Sequence, residues 1–288
     1  MNIDLHVHSN HSFDSTTSIE DILAMAKAKN IAYLAICDHN VVAGSLQAQK
    51  QQDIKIIPGI EIDCFFEDKI VHILGLGCDL RDERFAKLEK HYYDELDRIA
   101  YERLAKIEKF HQVKLDLAKI KSLSHFDGFS NVEIERVLLM DCDDPYLYPY
   151  QKGEKALNPI ANYYWDNLAI GKWGYVAMDL PQYVDIINLI HDTNGIAICA
   201  HPAVNIQHDD LAIAKLVAAK IDGFEAYCSY HDVQDIAFYE QVIAKYGLVS
   251  GCGSDYHGVT KPNIELGQTN CDKDEQMIIE RILDRINL

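Results

Sequence analysis

The sequence has few basic residues and lacks the features of several common protein classes. Its 288 residues contain 27 Lys and Arg against 45 Asp and Glu, which gives a formal charge of −18. Proteins that bind long nucleic acids usually present a basic surface, so this balance argues against such a partner. No run of about 18 uncharged apolar residues occurs, which argues against a membrane-spanning helix. The motif GxxxxGK[ST] is also absent, so no P-loop is predicted.

The eight cysteines are scattered along the chain and include no CxxC pair. Several lie inside apolar runs, such as LAICD around Cys37 and AICAH around Cys199. Buried, reduced thiols are typical of cytoplasmic proteins. The charged start MNIDLHVH does not have the form of a signal peptide. We therefore expect a cytoplasmic protein without a cysteine-type zinc site.

Short apolar runs rich in branched residues alternate with amphipathic stretches in residues 1–80 and again from residue 181 onward. They predict seven strands, at Asn2–Val7, Ile31–Cys37, Ile54–Ile62, Ile70–Leu76, Ile196–Ala200, Gly223–Tyr227 and Leu248–Gly251. Alternating strands and helices imply parallel pairing and an α/β fold. We therefore predict an α/β domain formed by residues 1–80 and 181–288.

Residues 81–180 have a different pattern, without convincing strand alternation. One long charged helix is predicted from Arg81 to Val113, followed by shorter helices at Asp116–Leu123 and Asn131–Leu139. An aromatic segment punctuated by prolines comes next. We interpret residues 81–180 as a mainly helical insertion in the α/β domain.

Histidine and acidic residues fall at the C-terminal ends of six of the seven predicted strands. They are His6, His8, Asp38, His39, Glu61, His72, His201, Asp255 and His257, with Asp14 on the first loop. Each alone is a weak signal, because chance gives about 0.6 HxH pairs in a chain of this composition. A single histidine at a strand end is usually a structural, hydrogen-bonded residue.

The coincidence of these residues on one face is more informative than any single position. Imidazoles and carboxylates gathered there would repel or desolvate one another without a cation. Divalent zinc, manganese or iron suits such a mixture. In the HxH pair, His6 and His8 point to the same face because side chains alternate along a strand. Glu225, on the sixth predicted strand, is expected to hydrogen-bond a ligating histidine.

The motifs HxH, DH, a glycine-flanked Glu, VHI, AHP and GSDxH occur in the order found in the polymerase and histidinol phosphatase (PHP) superfamily. Residues 1–80 and 181–267 resemble this family. The resemblance implies a distorted (βα)7 barrel with three divalent metal ions (Mn, Fe or Zn), and an insertion that covers the active site. It implies one ion on His6, His8, Glu61 and Asp255, a second on Glu61, His72 and His201, and a third on Asp14, His39 and His257.

The segment GKWGYVAMDLPQYVDIINLIHDTNGIAICAHP resembles nucleotide phosphatases and exoribonucleases of the superfamily. The Arg-x-His that these enzymes carry in the insertion corresponds to a sequence without arginine, Leu123-Ser124-His125. The arginine that often follows their AHPG is Val204 here. These differences weigh against recognition of a second phosphate, as in a 3′,5′-bisphosphate. His125, Lys172 and Lys261 are our candidates for substrate binding.

We therefore expect a metal-dependent phosphoesterase that hydrolyses a small phosphate ester, in which a metal-bound hydroxide attacks the phosphorus. A nucleotide-type phosphomonoester is the favoured substrate, and no protein nucleophile is expected. The enzymatic alternatives are a histidinol-phosphate phosphatase, a small cyclic phosphodiesterase and a 5′–3′ exoribonuclease. A metal-binding regulatory domain without turnover is the non-enzymatic alternative. The expected partner is a small phosphorylated substrate, and the sequence indicates no oligomeric state.

Overall fold

The computed structural model describes residues 2–51 and 53–286; Met1, Gln52, Asn287 and Leu288, which fall in the predicted α/β domain, lie outside the described residues. The described strands are β1 Asn2–Val7, β2 Ile31–Ile36, β3 Lys55–Ile57, β4 Gly59–Phe66, β5 Lys69–Leu76, β6 Ile196–Cys199, β7 Gly223–Tyr227 and β8 Val249–Cys252. The described α-helices are α1 Ile19–Ala28, α2 Ala43–Ala48, α3 Glu83–His111, α4 Leu117–Leu123, α5 Asn131–Asp141, α6 Tyr148–Gln151, α7 Pro159–Asn167, α8 Tyr183–Asp192, α9 Pro202–Asn205, α10 Asp210–Ala218, α11 Val233–Tyr246 and α12 Glu275–Ile286.

The strands form two sheets, one of three strands in the order β1-β2-β3 and one of five in the order β4-β5-β6-β7-β8. The first sheet is parallel, as is the β6-β7-β8 part of the second. Beyond these ladders, the isolated parallel bridges Val7–Tyr256 and His39–Glu61 join the two sheets. Within residues 2–51 and 53–286, we find a mixed α/β fold but no closed ring of strands. The expected (βα)7 barrel is therefore not shown.

Two local features explain the departure from the predicted strand pattern. Pro58 has no amide N–H and cannot donate a hydrogen bond to a neighbouring strand. It divides the predicted strand Ile54–Ile62 into β3 and β4. The turn Glu67-Asp68 joins β4 directly to β5, with Glu67 in the left-handed region at φ 57°. A turn this short imposes antiparallel pairing, and β5 also pairs antiparallel with β6. The prediction of uniformly parallel pairing is wrong for these strands.

One compact unit, the sheet unit, comprises the described residues of Met1–Glu89, Leu180–Gly258 and Ile264–Leu288. Its helices bury apolar stripes against the sheets. Ser18 caps α1 by accepting a hydrogen bond from the Asp21 amide, and Ile19 and Ile22 are buried beneath that helix. A fully buried isoleucine side chain contributes about 1.5–3 kcal/mol to stability, so these stripes hold the strand ends in place.

The second compact unit, the helical unit, comprises Lys90–Asp179 and Val259–Asn263. Its core is made of apolar and aromatic side chains, among them Ile107, Phe129 and Tyr163. The three predicted helices of this region are confirmed, with bounds that shift by two residues at most. Among the described residues, no helix combines the length and the apolar character that a membrane crossing requires. That residues 81–180 form an insertion over the active site stays a prediction.

Candidate metal centre

The end of β1 and the segment after β8 hold the first two histidines in place. The His8 amide donates to the Tyr256 carbonyl at 2.9 Å, and the Asp255 amide donates to the His6 carbonyl at 2.9 Å. Gly253 allows this close approach, because a Cβ at that position would lie 2.3 Å from the Cβ of His6. The pleat of β1 then directs both imidazoles to the same side.

His6, His8, Glu61 and Asp255 form the first group of converging side chains. Glu61 Oε2 lies 3.1 Å from the Nε2 atoms of both His6 and His8. Asp255 Oδ1 lies 3.3 Å and 3.2 Å from the same two nitrogens. All four side chains are buried. Four potential ligand atoms, two imidazole nitrogens and two carboxylate oxygens, thus lie within 4.8 Å of one another.

A second group surrounds the other face of Glu61. Its Oε1 lies 3.0 Å from His72 Nδ1 and 3.1 Å from His201 Nε2. Its Oε2 lies 3.5 Å from His39 Nδ1. Glu61 therefore contacts donors of both groups, which is the geometry that a bridging carboxylate needs.

Asp14 and His257 complete a third group with His8 and His39. Asp14 Oδ2 lies 3.1 Å from His257 Nε2 and 3.6 Å from His39 Nε2. The His8 and His257 rings stack with centroids 3.9 Å apart. His8 thus takes part in two groups, whereas the sequence placed it in one. The structure brings all nine candidate ligands together, and their division among three ions stays a prediction.

Outer partners fix several of these imidazoles. His6 Nδ1 lies 3.1 Å from Glu225 Oε1, as expected from the sequence, and Glu225 also accepts the His201 amide at 2.8 Å. His39 Nδ1 lies 2.9 Å from Asp63 Oδ1. Such partners leave the second ring nitrogen aimed at the cluster, an arrangement typical of metal-ligating histidines.

Asp63 was missed by the sequence analysis. It lies two residues after Glu61 on β4, and β-strand side chains two apart point to the same face. That period-two relation was the available signal. Tyr230 was also missed: its hydroxyl donates to Asp255 Oδ2 at 2.6 Å. No motif marks Tyr230, because its position depends on how the loop after β7 folds.

The electrostatics of the cluster are strongly coupled. Burial alone would raise the pKa of Glu61, but the imidazoles of His6, His39 and His72 hold it well below its usual value. Burial likewise opposes a charge on His39, yet Asp63, Glu61 and Asp14 raise the pKa of His39 to about 10. Protons on imidazoles therefore balance the carboxylates where no cation does so.

The donor set fits divalent cations. Among the described residues, Glu61 Oε2 and His257 Nε2 are buried and form no hydrogen bond of acceptable geometry. Yet Glu61 Oε2 lies only 3.1 Å from His6 Nε2, and His257 Nε2 lies only 3.1 Å from Asp14 Oδ2. Buried polar atoms without partners are costly, and an ion at the point of convergence would satisfy them. Mixed imidazole and carboxylate donors suit manganese, iron or zinc. His201 and Asp255 also have positive φ angles, 26° and 56°, as strained functional residues often do.

The predicted substrate-binding residues His125, Lys172 and Lys261 all lie in the helical unit. His125 and Lys172 are exposed, and Lys261 is half-buried. The His125 ring packs edge-on against Phe126 at 5.8 Å between centroids. Their role in binding substrate stays a prediction.

Comparison with known proteins gives consistent matches. A family described as the PHP domain matches residues 4–195. The phosphoribosyl 1,2-cyclic phosphate 1,2-diphosphodiesterase of Eggerthella lenta is 27% identical, covering 88% of this chain and 94% of that protein. The 3′,5′-nucleoside bisphosphate phosphatase of Chromobacterium violaceum is 25% identical, covering 93% of this chain and 91% of that protein. A solved structure from C. violaceum, an amidohydrolase with bound sulfate and no metal, has the same fold, with a TM-score of 0.78, 24% identity and 98% coverage of both chains.

Proposed function

Because the chain belongs to the PHP domain family, we propose that it is a metal-dependent phosphoesterase acting on small, nucleotide-like phosphate esters. The observation that carries the proposal is the largely buried cluster in which nine imidazole and carboxylate side chains converge, with His201 reaching it through Glu61. Burying so many polar and ionisable groups is costly, and divalent cations at the points of convergence would offset that cost. Similarity over most of the length of two phosphate-ester hydrolases supports the same class of reaction.

The proposed cofactors are three divalent ions, manganese, iron or zinc, distributed over the nine ligands as the family resemblance implies. When bound, such ions lower the pKa of a coordinated water and neutralise the charge that develops on phosphoryl oxygens. Glu61 would join two of the ion positions, because its two oxygens face different groups of imidazoles. Glu225 and Asp63 would hold the imidazoles of His6 and His39 in the orientation that binding requires.

The burial pattern indicates where the substrate would approach. His6, His8 and Glu61 are closed off from solvent, whereas the His72 side chain is 25% exposed and Tyr230 is 39% exposed. The open side of the cluster is therefore the side of His72 and Tyr230. A phosphate arriving there would meet imidazole and phenol groups, while the closed side keeps bulk water away from the carboxylates.

A nucleotide-type phosphomonoester remains the favoured substrate, supported by the bisphosphate phosphatase relative. A small cyclic phosphodiester is the second candidate, supported by the E. lenta relative, whose similarity extends over 94% of that protein. The chain carries Leu123 and Val204 where arginines occur in the related enzymes, which disfavours a second phosphate on the substrate. The proposal also includes a cytoplasmic location and a small phosphorylated molecule, rather than a long nucleic acid, as the partner.

The test is phosphate release in manganese buffer from a panel of substrates. The panel contains a nucleoside monophosphate, a 3′,5′-bisphosphate, a 1,2-cyclic ribosyl phosphate, histidinol phosphate and a short RNA; the cyclic ester is followed by ring opening. Glu61→Gln is the matched inactive control, because it keeps the side-chain volume and removes the charge. Turnover of a small nucleotide-like ester by the wild type alone is the expected result.

Two results would contradict the proposal. Turnover confined to histidinol phosphate or RNA would select one of the other enzymatic alternatives. Failure with every substrate by a chain that retains bound metal would favour the regulatory domain without turnover.

A further inference from the structure

A second group of metal-binding residue types lies outside the candidate metal centre. Cys252 Sγ, Cys271 Sγ and a carboxylate oxygen of Glu275 all lie within 4.8 Å of one another. Cys252 is buried, whereas Cys271 and Glu275 are half-buried. None of the three belongs to the nine-residue cluster, and the proposed reaction uses none of them.

The fold brings these residues together from two segments, the end of β8 and the stretch that leads into α12. Cys252 is the last residue of β8, and Glu275 is the first residue of α12. Cys271 lies on the loop before α12, where the preceding Asn270 donates its side-chain amide to the carbonyls of Cys228, Ser229 and His231 at 3.2–3.3 Å. These bonds anchor the loop independently of the cysteine pair, so the position of Cys271 is fixed before any ligand arrives.

Glu275 is held in the same way. Its Oε2 accepts a hydrogen bond from the Ile3 amide at 2.7 Å, at the start of β1. Glu275 also has a hydrogen bond with the Thr269 side chain. A carboxylate offers about four lone pairs, so these two bonds still leave acceptor capacity for a ligand. An ion bound here would therefore connect α12 and β8 to β1, the strand that carries His6 and leads into His8.

The two thiols differ in character. The hydrogen bond between them raises the pKa of Cys252 well above its usual value, and burial adds to this effect. The same bond lowers the pKa of Cys271, although burial opposes it. Because Cys271 is half-buried and Cys252 is buried, Cys271 is the sulfur that a cation arriving from solvent would meet first.

We propose that Cys252, Cys271 and Glu275 form a binding site for a thiophilic divalent cation, Zn²⁺, distinct from the nine-residue centre. Two thiolates and one carboxylate are zinc ligands, and sulfur donors select zinc over manganese or magnesium. Three protein donors leave one tetrahedral position for a solvent molecule, which the exposure of Cys271 and Glu275 permits. The sequence-based expectation of no cysteine-type zinc site rested on the absence of CxxC, and that pattern cannot detect cysteines brought together by the fold.

The test uses Co²⁺ as a spectroscopic substitute for zinc on the full-length, reduced, metal-depleted chain. Thiolate ligation of Co²⁺ gives a near-ultraviolet charge-transfer band, which the sulfur-free nine-residue centre cannot produce. We expect the band in the wild type and in Glu61→Gln, its displacement by Zn²⁺, and its loss in Cys271→Ser. Glu275→Gln should keep the band and weaken Co²⁺ affinity by about tenfold or more.

Cys142→Ser is the matched control, because Cys142 is a half-buried cysteine of the helical unit, remote in sequence from the proposed ligands. It should keep the full band. Cys271→Ser carries the test in place of Cys252→Ser, since a change at the buried Cys252 could disturb folding. The proposal is wrong if the wild type gives no band while all eight thiols titrate as reduced. It is also wrong if Cys271→Ser keeps the band, or if the two cysteines form a disulfide and give no band once reduced.

Discussion

Two of the buried glutamates, one from each unit, behave in opposite ways. Glu61 in the sheet unit and Glu135 in the helical unit are both fully buried. The imidazoles around Glu61 hold its pKa well below the usual value despite burial. Burial raises the pKa of Glu135 well above its usual value, because a hydrogen bond from Asn131 and the charge of Arg103 only partly offset it.

The contrast shows that burial of an acid does not by itself make a cation site. Glu135 accepts a hydrogen bond from the Asn131 side chain at 3.1 Å, and its neutral form suits a core. Glu61 is contacted by imidazoles from β1, β5 and the segments after β2 and β6. Convergence of donors from separate strands is what distinguishes a candidate metal centre from a buried polar contact.

The largest expected effect is that of Glu61→Gln. The amide removes the charge that two groups of ligands share, so we expect kcat/KM for the phosphate ester to fall by about 10³-fold, the equivalent of several kcal/mol of transition-state stabilisation. Glu135→Gln is the control of equal burial and equal chemistry, and it should leave kcat/KM unchanged. Steady-state phosphate release measures both. Equal losses in the two variants would break the distinction drawn between the two glutamates.

Glu225→Gln should have a smaller effect, of a different kind. Glu225 contacts His6 Nδ1 and the His201 amide, so it positions ligands without being one. We expect a loss of metal affinity of about 10–100-fold, with activity recovering as Mn²⁺ is raised. Titration of activity against Mn²⁺ concentration checks this. A loss that saturating Mn²⁺ does not reverse would instead place Glu225 among the ligands.

Tyr230→Phe should lower kcat/KM by less than Glu61→Gln does. It removes the hydroxyl that donates to Asp255 Oδ2 at 2.6 Å and leaves the ring beside His201. A hydrogen bond to a charged group is worth about 1.5 kcal/mol or more, so kcat/KM should fall by about tenfold. Circular dichroism of the variant serves as the folding control. Unchanged kinetics would show that Tyr230 has no positioning role.

The smallest effect concerns stability and pH. The native pKa of Glu135 lies above its unfolded value, so the native chain keeps a proton that the unfolded chain releases as pH rises. Its contribution to stability is therefore full below about pH 4.3 and is lost as pH rises through the native pKa. Glu135→Gln escapes this loss. Its free energy of unfolding relative to wild type should increase as the pH rises from 5 to 8 in urea titrations. If the difference in unfolding free energy between Glu135→Gln and wild type does not change with pH, the raised native pKa of Glu135 is contradicted.

The sequence predicted which side chains would lie close together more accurately than it predicted how the strands would pair. His6 and His8 could be paired from strand periodicity alone, and the motif order named the other candidate ligands that the structure brings close to them. The parallel ladders of β1 with β2 and of β6 with β7 also agree with the alternating pattern. Local patterns suffice for such features because they depend on neighbours along the chain.

The features that the sequence did not predict depend on segments distant in the chain. Pro58 and the short turn at Glu67 redirect β4 and β5 into antiparallel pairing, and strand periodicity carries no signal of sheet order. The contact of Cys252 with Cys271 and Glu275 arises only once α12 packs beside β8. Substrate specificity is of the same kind, since it would depend on where the loops place the side chains that meet the substrate.

The most direct test of the central claim is the metal content of the purified chain measured alongside phosphate release. We expect bound manganese, iron or zinc, loss of phosphate release after chelation, and its return when Mn²⁺ is added to wild type but not to Glu61→Gln. A chain depleted of metal that still released phosphate at the full rate would contradict the claim that the nine-residue cluster is a catalytic metal centre.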